Sequence, residues 1–367
     1  MKGYYIFEEL SQSNVGIYKK IVSQCKNFGL LGIQCSPKKV DVSKSSLIKA
    51  LKRIPFGPDN VNWNSIDVSD CDFLYIRKNL MTIHFVRFLK KVRKNNKNIK
   101  IVIEIPTYPY FKELLSFSTL SVLFRDYISS FFLKKYVDLV AVIGDSPKKV
   151  WGIPVIKIAN GIDFDSIHLR NYIPNNNEIR VACAANFSQY HGIDFFLEGL
   201  ERYYLNNGSE NIKLYLGGKG NCYQSYFEKV NSSSVLKSHV CFLGMLNNDQ
   251  LQKLYSNCDI GIVSLGYSRI GLHVNTTIKS KEYMGSGIPF ITDTPIDVME
   301  NDIQEWVLKV RYGETPIDME QVITFYNRIY KNKNLNELQE YFSSIRKYAI
   351  RRSDMKYILK HVVDYLK

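Results

Sequence analysis

Short apolar, β-rich runs alternate with helical segments along this chain, and they do so in two separate series. The first series opens with "YYIF" (4–7), a helix from Asn14 to Phe28 beginning near Gly16, and "LGIQC" (31–35). It continues through "DFLYIR" (72–77), a basic helix over 81–95, "KIVIEI" (100–105), a helical stretch over 111–136, "DLVAVIG" (138–144) and "PVIKI" (154–158). Strands this apolar are covered on both faces, and helices between them make a parallel, doubly wound sheet. At "NGIDFDSIHLRNYIPNNNE" (160–178) the pattern breaks into polar, turn-rich sequence. A second series then runs through "IRVACAA" (179–185), "IKLYLGG" (212–218), "HVCFLG" (239–244) and "DIGIVSL" (259–265), with helices over 192–205, 222–231 and 248–256. "WVLKV" (306–310) and helices over 317–330 and 335–366 complete it.

The fold class that follows is α/β, with two Rossmann-like domains facing a cleft. The boundaries are an N-terminal domain over 1–160, a linker over 161–178, a C-terminal domain over 179–345, and a helix over 346–367 crossing back to the first domain. At 367 residues the chain exceeds a typical single core, which agrees with two domains. Ligands of such sheets bind outside the carboxyl ends of the strands.

Charge divides the chain unevenly. Residues 1–160 hold 26 Lys/Arg against 12 Asp/Glu, whereas 161–367 hold 23 of each, so the whole net charge of +14 sits in the first half. That asymmetry suits a polyanionic partner, or a solvated Lys-rich surface. "FVRFLKKVRKNNKNIK" (85–100) and the aromatic "LLSFSTLSVLFRDYISSFFLKKYVDLV" (114–140) together have the basic-plus-apolar character of a surface lying on an anionic bilayer. No nucleic-acid-binding module is recognisable, so nucleic acid is not the expected partner. No apolar run reaches the ~18–20 residues of a spanning helix, and "MKGYYIFEELSQ" is no secretory signal. The seven cysteines are odd in number and contain no CxxC pair, which fits reduced thiols better than a disulfide frame or a zinc site. Together these point to a cytoplasmic protein, peripheral at the inner face of the cell membrane.

Three loops of the second series fall at strand ends. "ANFSQYHG" (185–192) offers Asn186, Ser188 and His191 just before a helix N-terminus, a place suited to an anion. "GGKG" (217–220) combines Gly218, whose backbone tolerates close approach, with the charge of Lys219. "SRIGLHVNTTIKSKEYMGSG" (268–287) carries a short helix that Thr276 or Thr277 can cap and that Gly285 or Gly287 ends. Glu282 on that helix can accept two hydrogen bonds from a vicinal diol such as a ribose, or pair with Lys279 or Arg269. In the first series, Gly16 stands at a helix entry. "IEIPTYPY" (103–110) places Glu104 at an apolar strand end, where it can bond or deprotonate an acceptor hydroxyl or cap the loop, with Thr107 and Tyr108 following between prolines.

"IKSKEYMGSGIPFI" (278–291) resembles the signature of GT-B glycosyltransferases of the family 4 type, a retaining family with members in bacterial surface-polysaccharide synthesis. "NGID" (160–163), "NFSQYHGID" (186–194), "LYLGGKG" (214–220) and "LQKLYSNCDIGIVSL" (251–265) match the same family in order, and "GIYKKIVSQCKNFG" (16–29) resembles its first loop and helix. The resemblance implies a transferase moving a hexose-type sugar from a nucleotide-diphosphate donor, UDP-sugar ahead of GDP-sugar. Its acceptor would be lipid-diphosphate-linked or an oligosaccharide, in capsule or O-antigen synthesis. It makes Glu282 the second Glu of the family's Glu-x7-Glu motif, which grips the nucleotide ribose. The first falls on Val274, so backbone groups from Gly271 to Val274, or His273, would serve the donor sugar. His191, Asn186, Ser188, Lys219 and Lys279 would meet the diphosphate, with Thr277 and Gly16 nearby, and Glu104 and His191 would be the catalytic candidates. Thr107 and Tyr108 would lie on the acceptor side. No Asp-x-Asp pair suggests a metal, and no cofactor is implied. The rival readings are a nucleotide-sugar epimerase or hydrolase on the same fold, and a catalytically degenerate bilobal binding protein.

Overall fold

A computed structural model describes residues 1–8, 15–43, 57–78, 80–110, 119–144, 146–175, 177–299 and 302–367, with only the backbone described at Val15 and Gly16. The chain forms two units, Met1–Ile162 with Met355–Lys367, and Asp163–Asp354.

In the first unit, β1 (Lys2–Glu8), α1 (Val15–Leu30), β2 (Gln34–Val40), β3 (Phe73–Arg77), α2 (Ile83–Asn95), β4 (Lys100–Tyr108), α3 (Leu120–Ser130), β5 (Leu139–Gly144), β6 (Lys149–Val150) and β7 (Ile153–Ile158) follow in sequence. They build a sheet in the order β2-β1-β3-β4-β5-β7-β6, parallel except for the β6–β7 hairpin. Both faces are covered, as the apolar strands require. Ile6, Ile76, Ile101, Ile103 and Val142 pack with Phe85, Phe88 and Leu89 of α2 on one face. The alternate residues Tyr5, Tyr75, Val102 and Ala141 pack with Ile21 and Phe28 of α1 on the other. The part of the helical reading that covers 111–118 lies outside the described residues.

The second unit runs through β8 (Ile179–Ala184), α4 (Ile193–Leu205), β9 (Ile212–Gly217), α5 (Tyr223–Ser232), β10 (Val240–Gly244), α6 (Asn248–Asn257) and β11 (Ile260–Ile262). Then come α7 (Ile278–Ser286), β12 (Phe290–Thr292), β13 (Val307–Lys309), α8 (Met319–Tyr330) and α9 (Leu335–Ser353). Its sheet, β10-β9-β8-β11-β12-β13, is parallel throughout. The strand order reverses between β8 and β11, which opens a crevice at their carboxyl ends.

The helix read over 335–366 is two helices. Asp354 is extended (ψ 132°), so α9 stops there, and α10 (Met355–Leu366) belongs to the first unit. There Leu359, Val362, Val363 and Leu366 of α10 are buried against the α1 face of the sheet. The first unit's return thus begins at Met355 rather than at 346. Gly287, not Gly285, ends α7: it adopts φ 72°, and a Cβ there would stand 2.8 Å from the Phe342 carbonyl oxygen.

Candidate functional site

The loops after β8, β9 and β11 are laced together by their backbones. The Ala185 and Phe187 N–H groups donate to the Gly217 and Lys219 carbonyls at 2.9 and 2.6 Å, and the Leu265 N–H to the His191 carbonyl at 3.0 Å. Glycine is required where these loops touch. Gly218 has φ 120°, and a Cβ on it would lie 2.0 Å from the Ala185 carbonyl oxygen. The backbone approached at "GGKG" is therefore that of the neighbouring loop. Lys219 and Asn186 are exposed on this rim and Ser188 is half-buried.

His191 closes a short 3-10 turn, Gln189–His191, and is buried. Its Nδ1 accepts the Ser188 N–H at 3.1 Å, so the remaining proton sits on Nε2. Burial, with the Lys279 charge alongside, holds the imidazolium pKa down at about 2, so the ring is a neutral donor at working pH.

Lys279 is the unusual group. It occupies the first turn of α7, is 9% exposed, and its Nζ donates to the Val263 carbonyl at 3.0 Å and to the Cys183 thiol at 3.5 Å. No carboxylate lies within ion-pair distance of it among the described residues. Thr277 stands at the N-cap position without capping. Its hydroxyl and its N–H both donate to Asn275 Oδ1, at 2.7 and 3.0 Å, so the first turn of α7 lacks a side-chain cap. A buried cation and free helix N–H groups thus meet beside a neutral imidazole N–H, which is an arrangement for an anion.

Glu282 is half-buried on α7, one turn beyond Lys279. It lies beside the Tyr255 hydroxyl, whose pKa burial and the Glu282 charge push well up. Arg269, a possible Glu282 partner from sequence, instead forms a two-pronged pair with Asp194, at 3.1 and 2.5 Å. Gly271 is left-handed (φ 62°) with nothing within 4 Å of the position a Cβ would take. His273 is exposed with its ring 5.1 Å from Tyr312, and Val274 is half-buried.

Asp293, just past β12, was not singled out from sequence. It is buried, accepts the Tyr267 N–H at 2.9 Å and the Thr294 hydroxyl at 3.1 Å, and burial raises its pKa to about 6. An acid directly after a buried strand was the available signal.

In the first unit Glu104 is fully enclosed. Oε2 accepts from Tyr75 Oη (2.8 Å), Gln24 Nε2 (2.8 Å) and Tyr5 Oη (3.2 Å), while Oε1 meets Lys20 Nζ (3.3 Å) and Arg77 Nη1. Burial alone would raise its pKa, but the Lys20 and Arg77 charges prevail and hold it at about 2. A carboxylate held there is a weak base at neutral pH, and the network suits it to fixing Lys20 and Arg77. Thr107 and Tyr108 are half-buried at the end of β4, and Gly16 lies in the first turn of α1.

No family model matches the chain, and no curated protein matches it in sequence. Solved structures do match, at full length. The HepE protein of Anabaena, in complex with UDP, aligns over 100% of this chain and 99% of its own (TM-score 0.64, 11% identity). A glycosyltransferase from Rickettsia africae aligns over 100% and 97% (TM-score 0.64, 13% identity). An E. coli trehalose-6-phosphate structure bound with UDP-2-fluoro glucose aligns over 100% and 99% (TM-score 0.61, 13% identity). The fold is GT-B. In this GT-B chain the laced loops and the first turn of α7 belong to the second Rossmann-like unit, and the Glu104 network to the first.

Proposed function

We propose that this chain transfers a sugar from a nucleoside diphosphate sugar, with the second unit holding the donor. The observation that carries the reading is the Lys279 ammonium, buried with no carboxylate in ion-pair distance among the described residues, at a helix N-terminus without a side-chain cap beside neutral His191. A leaving diphosphate gathers negative charge, and a pre-placed cation with fixed N–H dipoles favours that charge without reorganisation. His191 Nε2–H, Ser188 and Asn186 donate to the phosphates, and Lys219 adds a mobile charge at the rim. Glu282, one turn further along α7, accepts the ribose hydroxyls. With Val274 in place of a carboxylate, the backbone from Gly271 to Val274, or His273, meets the sugar.

Two GT-B neighbours were solved with UDP or a UDP-sugar analogue, which favours uridine over guanosine donors. The likeness of "IKSKEYMGSGIPFI" to family 4 supports a hexosyl donor and retention through a same-face reaction. It also supports a lipid-diphosphate-linked acceptor in surface-polysaccharide synthesis, met by the first unit near Thr107 and Tyr108.

The test is calorimetric titration of the purified chain with UDP and GDP, beside Glu282→Ala. One nucleotide binds, and the variant weakens it roughly tens-fold, the worth of one to two charge-assisted hydrogen bonds. If neither nucleotide binds at millimolar concentration, the donor site is wrongly placed.

A further inference from the structure

Helix α3 is built inside out. Its buried residues are Arg125, Asp126, Ser129 and Ser130, while Leu120, Phe124, Tyr127 and the following Phe131 are 50%, 53%, 75% and 67% exposed. At 100° per residue, positions 120, 124, 127 and 131 fall within about 60° of arc, so the four form one outward stripe. Helix α2 shows the ordinary orientation: Phe85, Phe88, Leu89 and Val92 face the core, while Arg87, Lys90, Lys91 and Lys94 are exposed. The inversion of α3 follows from its inward contacts. Asp126 accepts the Met81 N–H and the Tyr110 hydroxyl, both at 2.6 Å, which ties the polar face to the unit.

The rim of the stripe is basic. Lys134 lies with its Nζ 5.3 Å from the Phe131 ring and its Cδ 3.8 Å from where a Gly152 Cβ would stand, which brings it to the β6–β7 turn. Lys135, Lys148 and Lys149 are exposed on the same segments. Among the described residues of 119–135 and 146–152 the one acid is Asp126, and it is turned inward. An aromatic stripe with lysines at its edge and no exposed acid among those described residues matches the interface of an anionic bilayer, where rings enter the acyl boundary and ammonium groups stay at the phosphates. No described helix is long and apolar enough to cross a membrane.

We propose that the Leu120–Phe124–Tyr127–Phe131 stripe and the Lys134/Lys135 edge form a docking face for an anionic lipid bilayer. This names where the first unit meets the membrane, and it does not depend on the donor-site reading. The test floats the full chain on phosphatidylcholine vesicles with and without about one-third phosphatidylglycerol. Binding to the anionic vesicles and not to the neutral ones is expected. Phe124→Ser/Tyr127→Ser/Phe131→Ser lowers the partition coefficient at least tenfold, and Lys134→Gln/Lys135→Gln lowers it about fivefold per lysine and flattens its salt dependence. Urea unfolding of each variant in a Trp306→Phe background, where Trp63 and Trp151 of the first unit carry the signal, is unchanged from the parent and shows that the first unit is folded. If the parent does not bind anionic vesicles, or the triple variant binds them as the parent does, the proposal is overturned. It is equally overturned if sedimentation shows a parent dimer that the triple variant splits and neither binds lipid, because the face then joins two copies.

Discussion

Glu104→Gln offers the sharpest test of how the first unit is held together. The substitution keeps the side chain's shape and removes its charge, leaving Lys20 (3% exposed) and Arg77 (15%) facing each other without the carboxylate between them. The magnitude follows by two routes. The Glu104 pKa falls from 4.5 to about 2 on folding, which at roughly 1.4 kcal/mol per unit is about 3 kcal/mol. Removing one member of a buried ion pair costs about 3–5 kcal/mol in general. Both give a loss near 3 kcal/mol at pH 7. The sign with pH is set by the depressed folded value: the stabilisation is complete above about 4.5 and is lost as pH falls through about 2. The gap between parent and variant therefore narrows steadily below pH 4.5. Urea unfolding in a Trp306→Phe background reads the first unit, since Trp63 and Trp151 then carry the signal. A gap under 1 kcal/mol at pH 7, or one that does not change between pH 6 and pH 2.5, would refute the reasoning.

Asp293 runs the opposite way. Burial raises its pKa to about 6, so its contribution is full below about 4 and is lost as pH rises through 6; a component of up to roughly 3 kcal/mol should vanish from the melting-temperature profile of Asp293→Asn. Gly218→Ala forces a Cβ to within 2.0 Å of a backbone oxygen at φ 120°, so it should cost roughly 2–4 kcal/mol in urea unfolding and weaken nucleotide binding by displacing the loop at 185–192. A variant as stable as the parent would mean that the two loops are not held in contact.

The strands were legible because each central one is apolar throughout. The exceptions have local causes. β2 was read as 31–35 but runs from Gln34 to Val40, because as an edge strand it carries Pro37, Lys38 and Lys39, which look like loop. "DIGIVSL" is strand only over Ile260–Ile262; the Val263 carbonyl turns to the Lys279 ammonium and Ser264 begins the loop. The site loops were legible by their place at strand ends, but not their internal bonding. That Thr277 would donate to Asn275, two residues back, instead of capping α7 is a local alternative that the sequence leaves open, whereas that Gly218 answers to Ala185 depends on residues brought together by the sheet. The burial behind the shifts of His191 and Asp293 likewise exists only once the sheet and its loops are assembled.

Lys279 differs from most buried cations of the chain, and the difference predicts a trade-off. Lys20 and Arg77 share Glu104 in the first unit, and Lys281 pairs with Asp297 and Arg180 with Asp259 in the second. Lys279 instead meets a carbonyl and a thiol, with no carboxylate in ion-pair distance among the described residues, at the helix end whose dipole disfavours a cation. Such a group should destabilise the ligand-free protein and be relieved by an anion. Lys279→Met retains the buried stem and removes the charge, so it should raise stability by about 1–2 kcal/mol without nucleotide. The same change should weaken UDP binding at least tenfold and abolish the thermal stabilisation that UDP gives the parent, because the anion loses its pre-placed partner. Thermal unfolding of both proteins across a UDP titration reads both effects together. A variant that is less stable than the parent and binds UDP equally well would show that Lys279 is a packing residue and that the anion site lies elsewhere.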